Sequence, residues 1–178
     1  MSTFFSTQNI GIASAGDIGA ITSLLNSAYR GETSKAGWTT EAHLIEGETR
    51  STEEDVQQVM EKPGSVFLKY TGDNNSIIGC VNLQLNGDKL YLGMFSVSPQ
   101  LQGGGVGRLL LQAAEEYAHS ISCRVIYMSV ISLRTELINW YKRHGYTDTG
   151  ERIPFKEDGK SGKHLQPLEF MVMEKTIL

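Results

Sequence analysis

The stretch whose residue types and spacing point most directly to chemistry is "QGGGVG", Gln102 to Gly107, between an apolar run ending in Val97-Ser98-Pro99 and a segment of helical periodicity. Glycine costs roughly 1 kcal/mol against alanine inside a helix, so glycines in its opening turns need a compensating reason. A helix start exposes unsatisfied N–H groups and the positive end of the dipole, and missing Cβ atoms let a ligand reach the backbone. The stretch therefore reads as an anion site of phosphate or pyrophosphate size.

Two common phosphate-binding designs fail on the residues. A P-loop started at Gly103 meets Arg108 where its second glycine belongs, and no lysine follows. The dinucleotide fingerprint started at Gly103 again meets Arg108, and started at Gly105 it meets Leu110. A nicotinamide-dependent oxidoreductase is thereby disfavoured. What remains is Gln102-x-x-Gly105-x-Gly107 at a strand-to-helix junction.

The elements that must position this junction can be read around it. Asp17 is placed to cap a helix with Ile18, Ile21, Leu24, Leu25 and Ala28 on one face, ending near Tyr29. In "RGETSKAGWTTEAHLIEG", Thr39 or Thr40 is expected to cap a short helix that stops by Gly47. Ser51 with Glu54 reads as a capping box for a helix closed by Pro63-Gly64. "SVFLKY", "SIIGCVNLQL" and "KLYLGMFSV", parted by turn signals, spell an antiparallel meander on which Asn82 and Gln84 share a face and line a cleft. After the glycines come a helix with Val106, Leu109, Leu110, Ala113, Ala114, Tyr117 and Ala118 on one face, and the strand "RVIYMSVI", together a parallel βαβ pair. "TELINWYKRHG" reads as a further helix closed by Gly145, and "YTDTGERI" and "LEFMVMEKTI" as final strands around "KEDGKSGKHLQP", a charged excursion that is either a solvated loop or a lid over a site. The expected class is α+β: a mixed six- to seven-stranded sheet, an antiparallel meander then a parallel pair, flanked by about four helices.

Composition sets outer limits. The 178 residues fit a single domain, 1–178, and 40% hydrophobic and 20% charged residues with a net charge of −4 are those of a globular protein with little affinity for nucleic acid. Cys80 and Cys123 lie in apolar runs and are expected as buried reduced thiols. No run of about 18 apolar residues occurs and the N-terminal stretch lacks a signal-peptide pattern, so a cytoplasmic location without a membrane partner is expected. The four histidines and two cysteines show no metal-ligand spacing.

"VSPQLQGGGVGRLLLQAA" resembles the acyl-CoA signature of the GNAT superfamily of N-acyltransferases, [RQ]-x-x-G-x-[GA], in its frame of strand, V-x-P and helix. "LINWYKRHGY", Leu137 to Tyr146, resembles the same family's Y-x-x-x-G-[FY] segment. The resemblance implies a sheet splayed between the strand before the glycines and the strand after their helix, with acetyl-CoA as co-substrate in the gap. Phe95, Ser96 and Val97 would offer a strand edge to the pantetheine arm, and the backbone of Gln102, Gly103, Gly104, Gly105, Val106, Gly107 and Arg108 would cradle the pyrophosphate. Arg108 either adds charge near a phosphate or stands in solvent. A backbone N–H near Phe95 would polarise the thioester carbonyl, and Tyr141 would protonate the leaving thiolate.

Two positions depart from the family pattern. Many relatives carry asparagine seven residues before the tyrosine, where this chain has Arg134, which would pair with a substrate carboxylate, a phosphate or Glu136. Many carry a glutamate on the strand before the glycines, and "KLYLGMFSV" has none, which leaves Glu32, Glu41, Glu46, Glu48, His43 or His144 as candidate bases. The loop after the first helix, with Tyr29, Arg30, Trp38 and Thr39, is where the family commonly contacts its acceptor; Trp38 either does so or packs on the sheet. The expected activity is acetyl transfer to a primary amine of a small molecule, against the alternative of a non-catalytic acyl-CoA-binding module. A homodimer or a monomer is left open.

Overall fold

The structure, a computed structural model, describes residues 4–177. A seven-stranded sheet is built from β1 (Ile10–Ile12), β3 (Ser65–Thr71), β4 (Ile77–Asn86), β5 (Lys89–Val97), β6 (Val125–Ile131), β7 (Thr147–Phe155) and β9 (Leu168–Thr176), in the order β1-β3-β4-β5-β6-β9-β7. A second, two-stranded sheet pairs β2 (Ile45–Glu46) with β8 (Lys163–His164). The helices are α1 (Ile18–Tyr29), the single turn α2 (Gly31–Ser34), α3 (Glu53–Glu61), α4 (Val106–Ser120) and α5 (Thr135–Arg143). The fold is the expected mixed sheet with an antiparallel meander and a parallel β5–β6 pair. Among the described residues, no helix is long and apolar enough to cross a membrane.

Both faces of the meander are covered, so adjacent residues enter different cores. Leu68, Val81 and Leu83 join Val106, Leu110 and Ala114 of α4, together with Leu137 and Ile138 of α5. Phe67 and Cys80 face Ile21, Leu25 and Val56 from α1 and α3. The strand period of two sorts side chains to the two helical layers. Cys80 and Cys123 are buried and unpaired, and burial pushes the Cys80 thiol up to about 12.

α1 has the expected bounds, but the capping side chains here and in the next two helical segments are claimed by other bonds. Asp17 precedes α1, but its carboxylate accepts from the Ser14 N–H at 2.8 Å and from Lys69 Nζ at 2.9 Å, closing the turn before the helix. The capping box of α3 is Thr52 with Asp55, one residue later than expected, because both backbone groups of Ser51 are bonded to the Asn26 amide. No helix follows Thr39 or Thr40; the turn forms earlier, as α2, and Thr40 Oγ1 instead meets Ser34 Oγ at 2.6 Å. Gly145 closes α5 at φ +93°, as expected.

The parallel pair positions the site. β5 and β6 are in register only from Lys89–Val125 to Tyr91–Tyr127, after which β6 continues with β9 alone. β5 also bulges: Cys80 faces Ser96 while Asn82 faces Gly93, and Met94 takes φ +46° to absorb the extra residue. α4 presses on β4 beside this bulge, where a Cβ on Gly79 would stand 2.9 Å from both Leu110 Cδ1 and Val106 Cγ1. Gly79→Val should therefore lower unfolding free energy by about 1–3 kcal/mol in urea titration. Gly11→Ala, which meets nothing within 4 Å, should stay within about 0.5 kcal/mol of the parent.

Candidate active site

Where β5 leaves β6, two clefts open and meet. The first, 610 Å3, runs from the glycine turn along β5 to α5. The second, 550 Å3, lies between β5, β6 and the loops that follow α1 and β7. Tyr29, Phe95, Leu137 and Tyr141 line both. The junction is thus made of one strand residue at the bulge and side chains from α1 and α5.

The first cleft gathers most of the residues singled out in the sequence. Phe95, Ser96, Val97, Gln102, Gly103, Gly105, Val106, Gly107 and Arg108 all line it, and Gly104 lies outside the lining. Gly103 and Gly105 have φ of +86° and +89°, and a Cβ on either would meet nothing within 4 Å, so glycine is required by backbone conformation beside open space. Gly105 is also the left-handed residue from which α4 starts, and the first N–H groups of that 15-residue helix have no intrahelical partner. The Gln102 amide has a different task. Its Nε2 donates to Val97 O at 3.0 Å and to Thr39 Oγ1 at 2.6 Å, while its Oε1 accepts from the Thr39 N–H at 3.2 Å, tying the loop after α1 to the glycine turn. Arg108 is exposed at the cleft edge.

An aromatic cluster forms the outer wall of this cleft. Trp38 is 38% exposed and sits 6.1 Å from Trp140, which in turn lies 6.0 Å from Phe95 and 4.3 Å from the His144 ring. Trp38 belongs to the first cleft alone. Trp140 was missed in the sequence, although its position four residues before His144 on an amphipathic helix puts both rings on one face. His144 Nδ1 lies 2.8 Å from Trp140 O, and His43 is exposed.

Tyr29 and Tyr141 stand at the junction, both buried. The Tyr29 hydroxyl donates to Phe95 O. Burial raises its pKa, partly offset by the guanidiniums of Arg50 and Arg134. Burial, reinforced by neighbouring Tyr29, raises the Tyr141 phenol well above 10, so it is a proton donor at neutral pH. Ser96 Oγ, beside this junction, is buried without a hydrogen-bond partner among the described residues.

The second cleft is framed by an ion cluster. Glu41 Oε1 meets Arg30 Nη1 at 2.5 Å and Glu41 Oε2 meets Arg134 Nη1 at 3.1 Å, with all three side chains at most 10% exposed. Arg134 also donates to Thr39 O at 2.6 Å, and Arg30 Nε to Ser161 O at 3.0 Å. Arg134 therefore pairs with Glu41 rather than Glu136, and Glu41 is a structural counter-ion shared by two cations. Glu32, Glu46 and Glu48 are exposed and line neither cleft. Asn82 is likewise corrected: it is 2% exposed, lines neither cleft, and its amide donates to Ser65 Oγ and Val66 O.

Of the two readings of the segment after β7, part of it lies at a cleft rather than wholly in solvent. Asp158, Lys160 and Ser161 wall the second cleft, and β8 pairs with β2 where Gly162, at φ +105°, passes so close that a Cβ would lie 2.5 Å from Glu46 O. Among the described residues, no group of three or more His, Cys, Asp or Glu is placed to hold a metal.

Glu41→Gln leaves two buried guanidiniums without a counter-ion and should cost about 3–5 kcal/mol in thermal or chemical unfolding. The exposed control Glu46→Gln should change stability by no more than about 0.5 kcal/mol.

A family model described as the acetyltransferase (GNAT) family matches residues 21–146, from α1 through the glycine turn to the end of α5. No curated protein matches the chain by sequence. The fold is similar to that of a protein provisionally assigned as a phosphinothricin N-acetyltransferase, at TM-score 0.71 and 14% identity over 95% of this chain and 98% of that one. It is similar also to the ribosomal-protein-S18-alanine N-acetyltransferase from Escherichia coli, at 0.69 and 13% over 94% and 92%. A chimeric spermidine N-acetyltransferase from Vibrio cholerae gives 0.67 and 15% over 94% and 93%. At these identities the likeness is one of fold. The family match covers more than half of the chain and includes both clefts' shared residues, and the protein belongs to the GNAT family of acetyltransferases.

Proposed function

We propose that this chain, as one domain of residues 1–178, transfers the acetyl group of acetyl-CoA to a primary amine of a small-molecule acceptor by direct attack. The observation that carries the proposal is the meeting of two clefts at Phe95 and Tyr141. A donor in one cleft and an acceptor in the other would have their reacting atoms at that junction.

The first cleft fits acetyl-CoA by its chemistry. The open glycine turn and the unpaired N–H groups at the start of α4 would hold the pyrophosphate, with Arg108 alongside. The edge of β5 that β6 leaves after Tyr91 would pair with the pantetheine amides as an added strand. The bulge at Met94 turns the backbone at Phe95 out of the ladder, where an N–H would polarise the thioester carbonyl.

The amine nitrogen then forms the C–N bond as the C–S bond breaks. The amine loses a proton, and the departing thiolate takes one from the Tyr141 hydroxyl, which then regains a proton from solvent so that the proton count closes. Tyr29, held on Phe95 O, fixes the strand at this point. Glu41 is neutralised by two guanidiniums, and the positive cluster around it disfavours an ammonium in the second cleft, so the amine sheds its proton to solvent.

Tyr141→Phe should lower kcat by about a hundredfold or more while the KM for acetyl-CoA stays within about threefold, followed by thiol release on addition of amines. Undiminished turnover would remove Tyr141 from the mechanism. Binding of acetyl-CoA without turnover in the parent protein would favour a non-catalytic acyl-CoA-binding module. The kcat/KM of the active enzyme should rise about tenfold per pH unit towards the pKa of the acceptor amine. No falling limb should appear below about pH 10, because burial keeps the Tyr141 phenol protonated there.

A further inference from the structure

The second cleft holds a charge that acetyl transfer to a plain amine does not use. Arg30, Arg50, Arg134 and Lys160 line it with Glu41, Asp55 and Asp158. Glu41 answers Arg30 and Arg134. Asp55 is engaged by the Thr52 N–H at 2.9 Å in the cap of α3, and Asp158 by the N–H groups of Lys160 and Ser161 at 2.8 and 2.7 Å. Arg50 differs. Among the described residues its guanidinium has no ion-pair partner, although the residue is half-buried.

Its position is fixed by the fold. The Arg50 and Ser51 N–H groups both donate to Asn26 Oδ1 on α1, at 2.6 and 3.0 Å, which anchors the backbone at the cleft wall. The guanidinium lies over the Tyr29 ring, Cζ 4.9 Å from its centroid, and Arg134 Cζ lies 5.7 Å from the same centroid. The opposite end of Tyr29, its hydroxyl, is bonded to Phe95 O at the junction. Arg50 is thus one tyrosine ring away from the acyl site, and it does not line the first cleft, where the phosphates of acetyl-CoA would lie.

A partly desolvated guanidinium without a counter-ion is costly, and its planar fork matches a carboxylate in bidentate geometry. An acceptor with a second ammonium group, such as a polyamine, would set that charge against Arg50. Met94, Met128, Ile131, Phe155 and Phe170 supply an apolar wall beside it. Resting on the acetyltransferase reading above, we infer that the acceptor is an amino acid with an apolar side chain, its carboxylate held by Arg50 and its amine presented to the acyl carbon at Phe95.

The test compares matched acceptors: phenylalanine with phenethylamine, leucine with isoamylamine, methionine with 3-(methylthio)propylamine, and spermidine beside them. Thiol release from acetyl-CoA is followed for the parent, Arg50→Gln and Arg50→Lys. The expected result is a kcat/KM at least about tenfold higher for the acid in one or more pairs. That preference should collapse towards unity in Arg50→Gln through the acceptor KM, should survive in part in Arg50→Lys, and the KM for acetyl-CoA should stay constant. Turnover of the plain amines or spermidine without any preference for the acid, or a preference that persists in Arg50→Gln, overturns the inference and leaves the acetyltransferase reading standing. Absence of thiol release with every amine, together with absence of acetyl-CoA binding, overturns both.

Discussion

The structure depends on an interrupted hydrogen-bond ladder. β5 and β6 pair over three residue couples and then part, so the backbone of β5 beyond Tyr91 has a strand on the β4 side alone. An unpaired strand edge inside a fold must be satisfied by other partners or by a ligand. Protein partners take part of it here. Tyr29 hydroxyl bonds Phe95 O and the Gln102 amide bonds Val97 O, and the remaining edge opens on a cleft. The bulge at Met94 accompanies the same divergence, since one extra residue in β5 lets the strand twist away from β6 and then resume its pairing with β4 one residue out of step.

The loop after α1 reaches the site because it is tied down at separated points. Gln102 holds Thr39 to the glycine turn, Glu41 draws Arg134 from α5 and Arg30 from the end of α1 together, and Arg30 carries the clamp to Ser161. β2 and β8 close the same junction through two paired residues. Two guanidiniums, one from the end of α1 and one from the start of α5, thereby share one buried carboxylate, and the second cleft takes its shape from that arrangement. A buried ion pair of this kind contributes little net stability against an apolar replacement; its consequence here is geometric, because losing the carboxylate would set two desolvated cations free beside the junction.

Much of this was legible in the sequence. The meander, the glycine turn, α4 and the final strands carry strong period-two or helical signals, and the Gln102 to Arg108 stretch, Gly104 apart, and Tyr141 do come to one cleft. What was not legible depends on contacts distant in sequence. Thr39, Thr40 and Ser51 have capping chemistry, yet Gln102, Arg134, Ser34 and Asn26 claim their polar groups first. Asn82 reads as a polar residue facing a cleft, but both faces of β4 are covered, and Ser65 and Val66 on the neighbouring strand satisfy its amide. Glu41 looks like a loop carboxylate until Arg134, 93 residues away, is folded against it. β1, at three residues, is too short for its pattern to register.

The most direct measurement of the central claim is calorimetric titration of the purified protein with acetyl-CoA, CoA and NAD in turn. If the glycine turn and the parted strands form the donor site, acetyl-CoA and CoA bind with a stoichiometry of about one and NAD gives no heat. Absence of CoA binding, or NAD binding of equal strength, would contradict the account, and the left-handed glycines before α4 would then need a different ligand.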